Sequence, residues 1–379
     1  MDSEVAFAYH NPVHIRFGVG LYQEALAQIL GSSKARVGLF YGHSAMKKLG
    51  AIDAIWEALP HCEIQEYGNI ASNPDSRDIN TILQKWPETD WVVGIGGGSV
   101  LDIAKSVAFM AGQRESLRTF LTHQNVAPAC AGLPVIAIPT TSGTGSEVTP
   151  WATVWNFQEN KKYSLSDPHM FPQYAIVDPS LTLSLPPYIT AYTGYDALSH
   201  AVEAYWSRYA NPVSDLYAIE AVRLSLTHLG PVMDDLESVE HRTRLAQASL
   251  YAGMAFSNTK TTAVHATSYP MTLHYSVPHG AACSLTLAEF WQYNLEAVDR
   301  AKVDLLLAAV GERAPEAFAD RLKVLAHQIG LPVTLAQAGI PREGIELILD
   351  EGFHPERVVN NPRQLTREAL REILERIYD

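Results

Sequence analysis

The chain has 379 residues, of which 47% are hydrophobic and 18% charged, and its 28 Lys and Arg against 41 Asp and Glu give a formal net charge of −13. This composition is typical of a globular protein long enough for two domains, and it excludes a disordered or fibrous chain. The acidic balance argues against a nucleic-acid partner, because neutralising phosphates requires clustered Lys and Arg. Three widely spaced cysteines and an acidic N-terminus without a secretory signal predict a cytoplasmic protein with reduced thiols.

Two long stretches, residues 119–146 and 261–288, contain no Asp, Glu, Lys or Arg. Pro and Gly interrupt both of them, so we expect neither to cross a membrane, which requires about 20 predominantly apolar residues. The simpler interpretation is a pair of core segments. Their His, Thr and Gly residues favour the alternative that each lines a buried site.

The first half of the chain alternates short apolar runs with helical patterns. Strands are predicted at residues 37–41, 91–95, 135–138 and 175–177. Apolar residues at i, i+3, i+4 and i+7 from Val100 predict an amphipathic helix between the second and third strands. This alternation of strands and helices predicts an α/β domain with a parallel sheet.

The character of the sequence changes after Asp178-Pro179 and the stop at Leu185-Pro186-Pro187. Long helical patterns with charged faces then replace the strand-like runs. In the last of these patterns, Thr366 is placed to cap a helix. We therefore predict an α/β domain over residues 1–185 and an all-helical domain over residues 186–379.

Two loops of small residues follow strands of the predicted sheet. Gly94-Ile95-Gly96-Gly97-Gly98-Ser99 leads from the second strand into a helix, where glycines let the backbone approach a phosphate and the helix N-terminus attracts negative charge. The third strand runs into a second loop at residues 139–147. Either loop alone could be an ordinary turn, but two at adjacent strand ends favour a nucleotide-binding crevice. The first is not the usual Rossmann fingerprint, because no strand ending in an acidic residue follows about 20 positions later.

A candidate metal site lies in the helical half. Asp196 and His200 are four residues apart, so both side chains project from one helix face, although such a pair is more often only a solvated face. His265 and His279 fall within an uncharged stretch, where a buried imidazole needs a partner. One carboxylate and three imidazoles suit Fe²⁺, Zn²⁺, Co²⁺ or Mn²⁺. His274 is interpreted as a packed histidine rather than as a fifth ligand.

Together these motifs resemble the iron-containing (group III) alcohol dehydrogenase family. The family's motifs are matched by Gly-Gly-Gly-Ser at residues 96–99, Thr-Thr-x-Gly-Thr-Gly-Ser-Glu-x-Thr at 140–149, Asp-Ala-x-x-His-Ala-x-Glu at 196–203 and Pro-His-Gly at 278–280. The resemblance covers the chain from about residue 10 to the C-terminus. It implies an N-terminal dinucleotide-binding domain, a C-terminal metal-binding and catalytic domain, and a homodimer or larger homo-oligomer.

The resemblance also implies roles for individual residues. The implied ligands of Fe²⁺, or alternatively Zn²⁺, are Asp196, His200, His265 and His279. The implied contacts of NAD or NADP are Gly97, Gly98 and Ser99 at the pyrophosphate, with Asp102, Thr140, Thr141, Ser142, Thr144 and Lys162 around the rest of the cofactor. The implied reaction is hydride transfer between the nicotinamide and a metal-polarised carbonyl.

Two positions depart from the family's pattern. Many members have a histidine four residues after the third metal ligand, often assigned to proton relay, whereas this chain has Tyr269. Tyr269 is therefore a candidate catalytic residue, and the proton comes either from its hydroxyl or from a water chain along the ribose. NAD-preferring members have an Asp after the first strand, whereas this chain reads Tyr41-Gly42-His43-Ser44. This difference favours NADP, with His43, Ser44 and Lys47 as candidate contacts of the 2′-phosphate.

The segment before His265, Asn258-Thr259-Lys260-Thr261-Thr262, resembles the branch of the family that reduces phosphonoacetaldehyde. Lys260 is a candidate catalytic-site residue that would neutralise the phosphonate while threonine hydroxyls bind its oxygens. A solvated lysine is the simpler interpretation. The alternatives are reduction of another small aldehyde, a dehydroquinate synthase or glycerol-phosphate dehydrogenase type of enzyme, and a nucleotide-binding sensor without catalysis.

Overall fold

The structure is a computed structural model that describes residues 6–42, 45–48, 50–123, 126–159, 161–353 and 358–379. The chain divides into two compact units. One unit is Asn11–Leu183, and the other is Ser184–Asp379 together with the N-terminal residues up to His10. The hydroxyl of Tyr9, for example, donates a hydrogen bond of 3.0 Å to the Met254 carbonyl. Residues 6–10 therefore group with the helical unit.

The first unit is built on a parallel sheet, as the sequence predicted. The strands of this unit are β1 (His14–Phe17), β2 (Arg36–Gly42), β3 (Glu63–Ile70), β4 (Trp91–Gly96), β5 (Val135–Pro139), β6 (Trp151–Asn156), β7 (Lys161–Ser166) and β8 (Tyr174–Val177). Within the described residues, six of them form the sheet in the order β1-β8-β5-β4-β2-β3, and β6 and β7 form a separate antiparallel hairpin. Gly96 of β4 pairs with Pro139 of β5, so the loops after these strands start side by side.

Helices cover both faces of this sheet. They are α1 (Tyr22–Leu30), α2 (Ala45–Lys48), α3 (Ala51–Ala58), α4 (Ser76–Gln84), α5 (Gly98–Met110) and α6 (Leu117–Thr122). Val93 and Ile95 of β4 pack in one apolar cluster with α1 and α3, whereas Val92 packs in a second cluster with α5. This division follows from the alternation of side chains along a strand that is buried on both faces.

The second unit is helical. Its helices are α7 (Pro187–Trp206), α8 (Pro212–Asp234), α9 (Val239–Thr259), α10 (Ala263–Tyr275), α11 (His279–Asn294), α12 (Arg300–Val310), α13 (Pro315–Gln328), α14 (Gly344–Gly352) and α15 (Arg367–Arg376). Thr366 caps α15 by accepting a hydrogen bond from the Ala369 N–H, as predicted. Of the helices that the structure describes, none is long and apolar enough to cross a membrane.

Candidate metal centre and cofactor loops

Three helices of the second unit bring the predicted metal ligands together. Asp196 and His200 lie on α7, His265 lies on α10, and His279 begins α11. Asp196 is their common neighbour. Its Oδ1 lies 3.4 Å from His265 Nε2 and 3.8 Å from His279 Nε2, and its Oδ2 lies 4.0 Å from His200 Nδ1.

The donor atoms of this cluster fit a metal ion. Asp196 and His265 are 4% and 1% exposed, and neither Asp196 Oδ1 nor His265 Nε2 has a hydrogen-bond partner of acceptable geometry. A buried polar atom without a hydrogen bond costs free energy, and a cation coordinated by these atoms would satisfy both of them. One carboxylate and several imidazoles are donors suited to Zn²⁺ or Fe²⁺.

Glu203, which follows His200 by three residues on α7, orients the His265 ring. Its Oε1 accepts hydrogen bonds from the Thr262 N–H at 2.8 Å and the Val264 N–H at 3.0 Å, and its Oε2 contacts His265 Nδ1. With Nδ1 engaged in this way, Nε2 of the same ring faces Asp196. A carboxylate that binds the far nitrogen of an imidazole fixes its tautomer and orientation for a metal.

Electrostatic interactions within the cluster shift the pKa values of its members. Burial alone would raise the pKa of the Asp196 carboxyl, but the imidazoles of His200, His279 and His265 outweigh it and hold that pKa below its usual range. Burial alone would lower the pKa of His265, yet Cys283, Glu203 and Asp196 together raise it. The Asp196 carboxylate is thus held in its charged form, which is the form that ligates a metal.

The contact between α7 and α11 depends on Gly280. A Cβ atom at this position would lie 1.8 Å from the Tyr192 carbonyl oxygen and 3.0 Å from the Asp196 Cβ. Only glycine permits so close an approach to a backbone oxygen. The Pro-His-Gly motif therefore positions His279 against the helix that carries Asp196.

In the first unit, the two small-residue loops lie in contact. The Thr140 N–H donates to the Gly96 carbonyl at 3.0 Å, and a Cβ on Gly98 would lie 2.6 Å from the Thr144 side chain. The first turn of α5 has no side-chain cap and no acidic residue. This arrangement suits an anion such as a pyrophosphate at the helix N-terminus. Ser99 Oγ accepts a hydrogen bond from the Asn73 N–H at 3.1 Å.

Asp102, predicted as a cofactor contact, supports the second loop. Its carboxylate accepts hydrogen bonds from the Ser146 hydroxyl at 2.6 Å and from the Thr153 N–H at 2.8 Å. Lys162, on β7, places its ammonium 5.6 Å from the centre of the Trp155 ring. Asp102 therefore contacts the hairpin that follows the loop, and Lys162 is part of that hairpin.

Lys105, which was not predicted from the sequence, binds the same loop. Its buried ammonium donates to the Ser146 carbonyl at 3.0 Å and to the Trp151 carbonyl. Burial lowers the pKa of Lys105 to about 8 and raises the pKa of Glu147 to about 7. The sequence does contain a signal for Lys105: it follows Asp102 by three residues, so both side chains lie on one face of the helix.

The two predicted catalytic residues have different surroundings. The Tyr269 ring stacks on His279, with ring centres 5.7 Å apart and planes inclined by 11°. Lys260 is exposed after α9 and has a φ of 58°, a left-handed conformation that is uncommon outside glycine. The Thr259 hydroxyl donates to the Lys260 carbonyl, and the Thr262 hydroxyl donates to Glu203.

The predicted contacts of a 2′-phosphate are described only in part. His43 and Ser44 lie outside the described residues. Lys47 Nζ lies 3.7 Å from the Glu66 carboxylate, which also accepts hydrogen bonds from the Tyr41 hydroxyl and the Trp56 indole. A carboxylate from β3 therefore lies beside Tyr41, where the sequence alone showed none.

Comparison with known proteins places nearly the whole chain in one family. The model for iron-containing alcohol dehydrogenase matches residues 12–179, and the model for the C-terminal part of the Fe-containing alcohol dehydrogenase family matches residues 190–378. The chain belongs to the iron-containing alcohol dehydrogenase family. It is therefore an oxidoreductase of the alcohol dehydrogenase and aldehyde reductase class, with a metal and a nicotinamide cofactor.

Similar proteins within this family differ in their substrates. The chain is 30% identical to alcohol dehydrogenase 4 of Saccharomyces cerevisiae over 100% of both chains. It is 29% identical to choline dehydrogenase of Bacillus subtilis, covering 97% of this chain and 94% of the relative. A crystal structure of sulfoacetaldehyde reductase from Bifidobacterium kashiwanohense with NAD⁺ superposes with a TM-score of 0.90 and 31% identity, covering 98% of each chain.

Proposed function

We propose that this member of the iron-containing alcohol dehydrogenase family uses NAD(P)H to reduce phosphonoacetaldehyde at a metal held by Asp196, His200, His265 and His279. The observation that carries the reaction is the buried donor cluster, in which Asp196 Oδ1 and His265 Nε2 lie 3.4 Å apart without a well-formed hydrogen bond to any group. When bound, the metal supplies a Lewis acid for the carbonyl oxygen and the nicotinamide supplies the hydride.

The protein's own residues hold and orient these groups. Glu203 fixes the His265 ring with its Nε2 turned toward Asp196. Gly97, Gly98 and Ser99 bind the pyrophosphate at the start of α5, and the loop that contains Thr140, Thr141, Ser142 and Thr144 is held beside them by Lys105 and Asp102. We assign Lys162 as a further contact of the cofactor, away from the pyrophosphate.

The proton for the reduced oxygen has two candidate sources in this chain. Tyr269 stacks on His279, which places a phenol beside a proposed metal ligand. Its hydroxyl is one source, and a water chain along the ribose is the other. Tyr269→Phe keeps the ring and removes the hydroxyl. A loss of turnover with unchanged metal binding would therefore assign the proton to Tyr269.

The proposed substrate is a two-carbon aldehyde with an anionic head group. Lys260 is an exposed cation five residues before His265, and its left-handed backbone is the kind of local strain found at functional sites. The sulfoacetaldehyde reductase that superposes on this chain acts on a sulfonate analogue of phosphonoacetaldehyde. A cationic substrate such as choline would be repelled by Lys260 rather than attracted.

We also propose NADPH as the preferred cofactor, because no acidic residue directly follows β2 in the sequence. We further propose that the chain forms a homodimer or a larger homo-oligomer. The ratio of kcat/KM for NADPH and NADH tests the first proposal. Because Lys47 is already close to Glu66, we expect the preference to be modest. Light scattering of the purified chain tests the assembly.

The substrate assignment is tested by anaerobic oxidation of NADPH by the metal-loaded protein, with phosphonoacetaldehyde and propanal compared. A hydrogen bond to a charged group contributes about 1.5–3 kcal/mol, so Lys260→Gln is expected to lower kcat/KM for the phosphonate about 10- to 100-fold. The value for propanal should not change, and Lys260→Arg should restore most of the loss.

Lys34→Gln, which removes an exposed lysine of the other unit, is the matched control and should leave both substrates unaffected. Equal turnover of propanal and phosphonoacetaldehyde by the wild type would keep the aldehyde reductase and reject the phosphonate. Product formation without net NADPH consumption would instead indicate a synthase.

A further inference from the structure

The metal centre contains a fifth donor that the sequence motifs do not assign. Cys283 is completely buried on α11, four residues after His279, so both side chains project from the same face of that helix. One donor atom from each of Asp196, His265, His279 and Cys283 lies within 4.8 Å of all the others. The sulfur is thus inside the donor cluster.

The surroundings of Cys283 favour a metal ligand over a packed thiol. The thiol sulfur lies within 4.8 Å of a donor nitrogen of the His265 imidazole. Asp196 Oδ1 and His265 Nε2 belong to the same cluster, and both are buried atoms without a hydrogen-bond partner. A thiol is a weak hydrogen-bond donor and acceptor, so it satisfies these atoms poorly, whereas a cation shared by all of them would satisfy each one.

His200 has a different relation to the cluster. Its Nδ1 lies 4.0 Å from Asp196 Oδ2, and its ring stacks between Phe256 and His265, with ring centres 4.2 Å and 4.3 Å apart. Among the described residues, the tight four-donor group contains Cys283 rather than His200. The donors therefore offer a metal five candidate ligands, one of which is sulfur.

We propose that Cys283 is a metal ligand in this chain, whose thiolate joins Asp196, His265 and His279. The inference rests on the metal-dependent function proposed above. On binding, the metal replaces the proton of the thiol, and that proton passes to solvent. A thiolate is a soft donor, so its presence shifts the preference of the site toward Zn²⁺.

The test replaces the metal with Co²⁺, which reports its ligands through its absorption spectrum. We expect the wild type to show a thiolate-to-cobalt charge-transfer band in the near ultraviolet. Cys283→Ser should lose this band and bind Zn²⁺ at least about tenfold more weakly. Removing a group that only hydrogen-bonds a metal ligand already weakens metal binding by about that much. Cys62→Ser, the same change in the other unit, should alter neither.

The outcomes separate this inference from the proposed function. Visible d–d bands of bound Co²⁺ without the charge-transfer band would overturn the role of Cys283 and leave the metal centre intact. Failure of the wild type to bind Co²⁺ or Zn²⁺ would overturn both. X-ray absorption of the zinc-loaded wild type tests the same point without relying on a folded variant. One sulfur neighbour at about 2.3 Å from zinc is expected, and a shell of nitrogen and oxygen alone would reject Cys283 as a ligand.

Discussion

At the scale of single residues, the metal centre shows how a buried carboxylate can act through another side chain. Glu203 is completely buried, and all its observed partners are donors on α10 or in the turn before it. It therefore sets both the position of His265 and the nitrogen that carries the imidazole proton. The Asp-Ala-x-x-His-Ala-x-Glu motif contains Glu203, but nothing in the motif distinguishes it from a surface glutamate.

Glu203→Gln is expected to weaken Zn²⁺ binding by about 10- to 100-fold. The new amide can donate to His265 Nδ1, which moves the ring proton to Nε2 and blocks the lone pair that faces Asp196. Competition with a chromogenic chelator measures the affinity. Glu240→Gln, an exposed change on α9, is the control, and equal affinity in the two variants would contradict this role for Glu203.

A second buried glutamate makes the stability of the chain depend on pH. Burial raises the pKa of Glu147 to about 7, above that of a glutamate in the unfolded chain. The folded state therefore retains its proton longer, and stability is lost as the pH rises from about 4.5 to about 7.

Glu147→Gln removes this charge. Relative to the wild type, the variant should gain about 3 kcal/mol in the free energy of unfolding above pH 7 and almost nothing below pH 4.5. Urea unfolding over this pH range measures the difference, with the exposed change Glu115→Gln as control. A difference that does not vary with pH would show that Glu147 is not buried as a charged group.

At the scale of secondary-structure elements, the strands show what the sequence could and could not reveal. The central strands β4 and β5 are buried on both faces and appear in the sequence as continuous apolar runs, which made them predictable. The edge strands β1 and β3 were missed because their exposed positions carry residues such as His14, Glu63 and Gln65. The hairpin of β6 and β7 was missed for a similar reason, since β7 is mostly outside the core.

The candidate site was predictable to the extent that its residues share a helix or a loop. The spacing of Asp196 and His200 and the two glycine loops were visible in the sequence because each is local. Cys283 was not recognised, because its relation to Asp196 arises only when α11 packs on α7. Lys105 was missed because its hydrogen bond to Ser146 requires the loop after β5 to fold over α5, and the burial of Glu147 likewise arises only in the folded loop.

Packing of α11 on α7 is the element contact on which the metal centre depends most. Gly280→Ala would place a methyl group 1.8 Å from the Tyr192 carbonyl oxygen, so the helices must separate. We expect a loss of about 1–3 kcal/mol in stability, with weaker Zn²⁺ binding because His279 moves away from Asp196. Denaturant unfolding and metal competition measure the two effects.

Gly194→Ala on α7 is the matched comparison. Its new methyl group would meet the end of the Leu229 side chain, which can change rotamer, rather than a backbone oxygen. We therefore expect a smaller loss of metal affinity than in Gly280→Ala. If the two variants bind Zn²⁺ equally, the close approach at Gly280 does not control the position of His279.

At the scale of the whole molecule, the two compact units have different chemistry. The unit Asn11–Leu183 contains the glycine loops at the sheet edge, whereas the donor cluster lies entirely within α7, α10 and α11 of the other unit. The proposed reaction needs a cofactor bound by the first and a carbonyl bound by the second. Each ligand should therefore stabilise its own unit first.

Hydrogen exchange followed by mass spectrometry can test which unit binds each ligand. A ligand that binds only the folded state stabilises it by about 4 kcal/mol at 1,000 times its dissociation constant, and local opening slows accordingly. With Zn²⁺ alone, we expect slower exchange in α7, α10 and α11. With NADPH alone, it should slow at the start of α5 and in the loop after β5. If Zn²⁺ slowed exchange in the glycine loops as much as in α10, the donor cluster would not be the place where the metal binds.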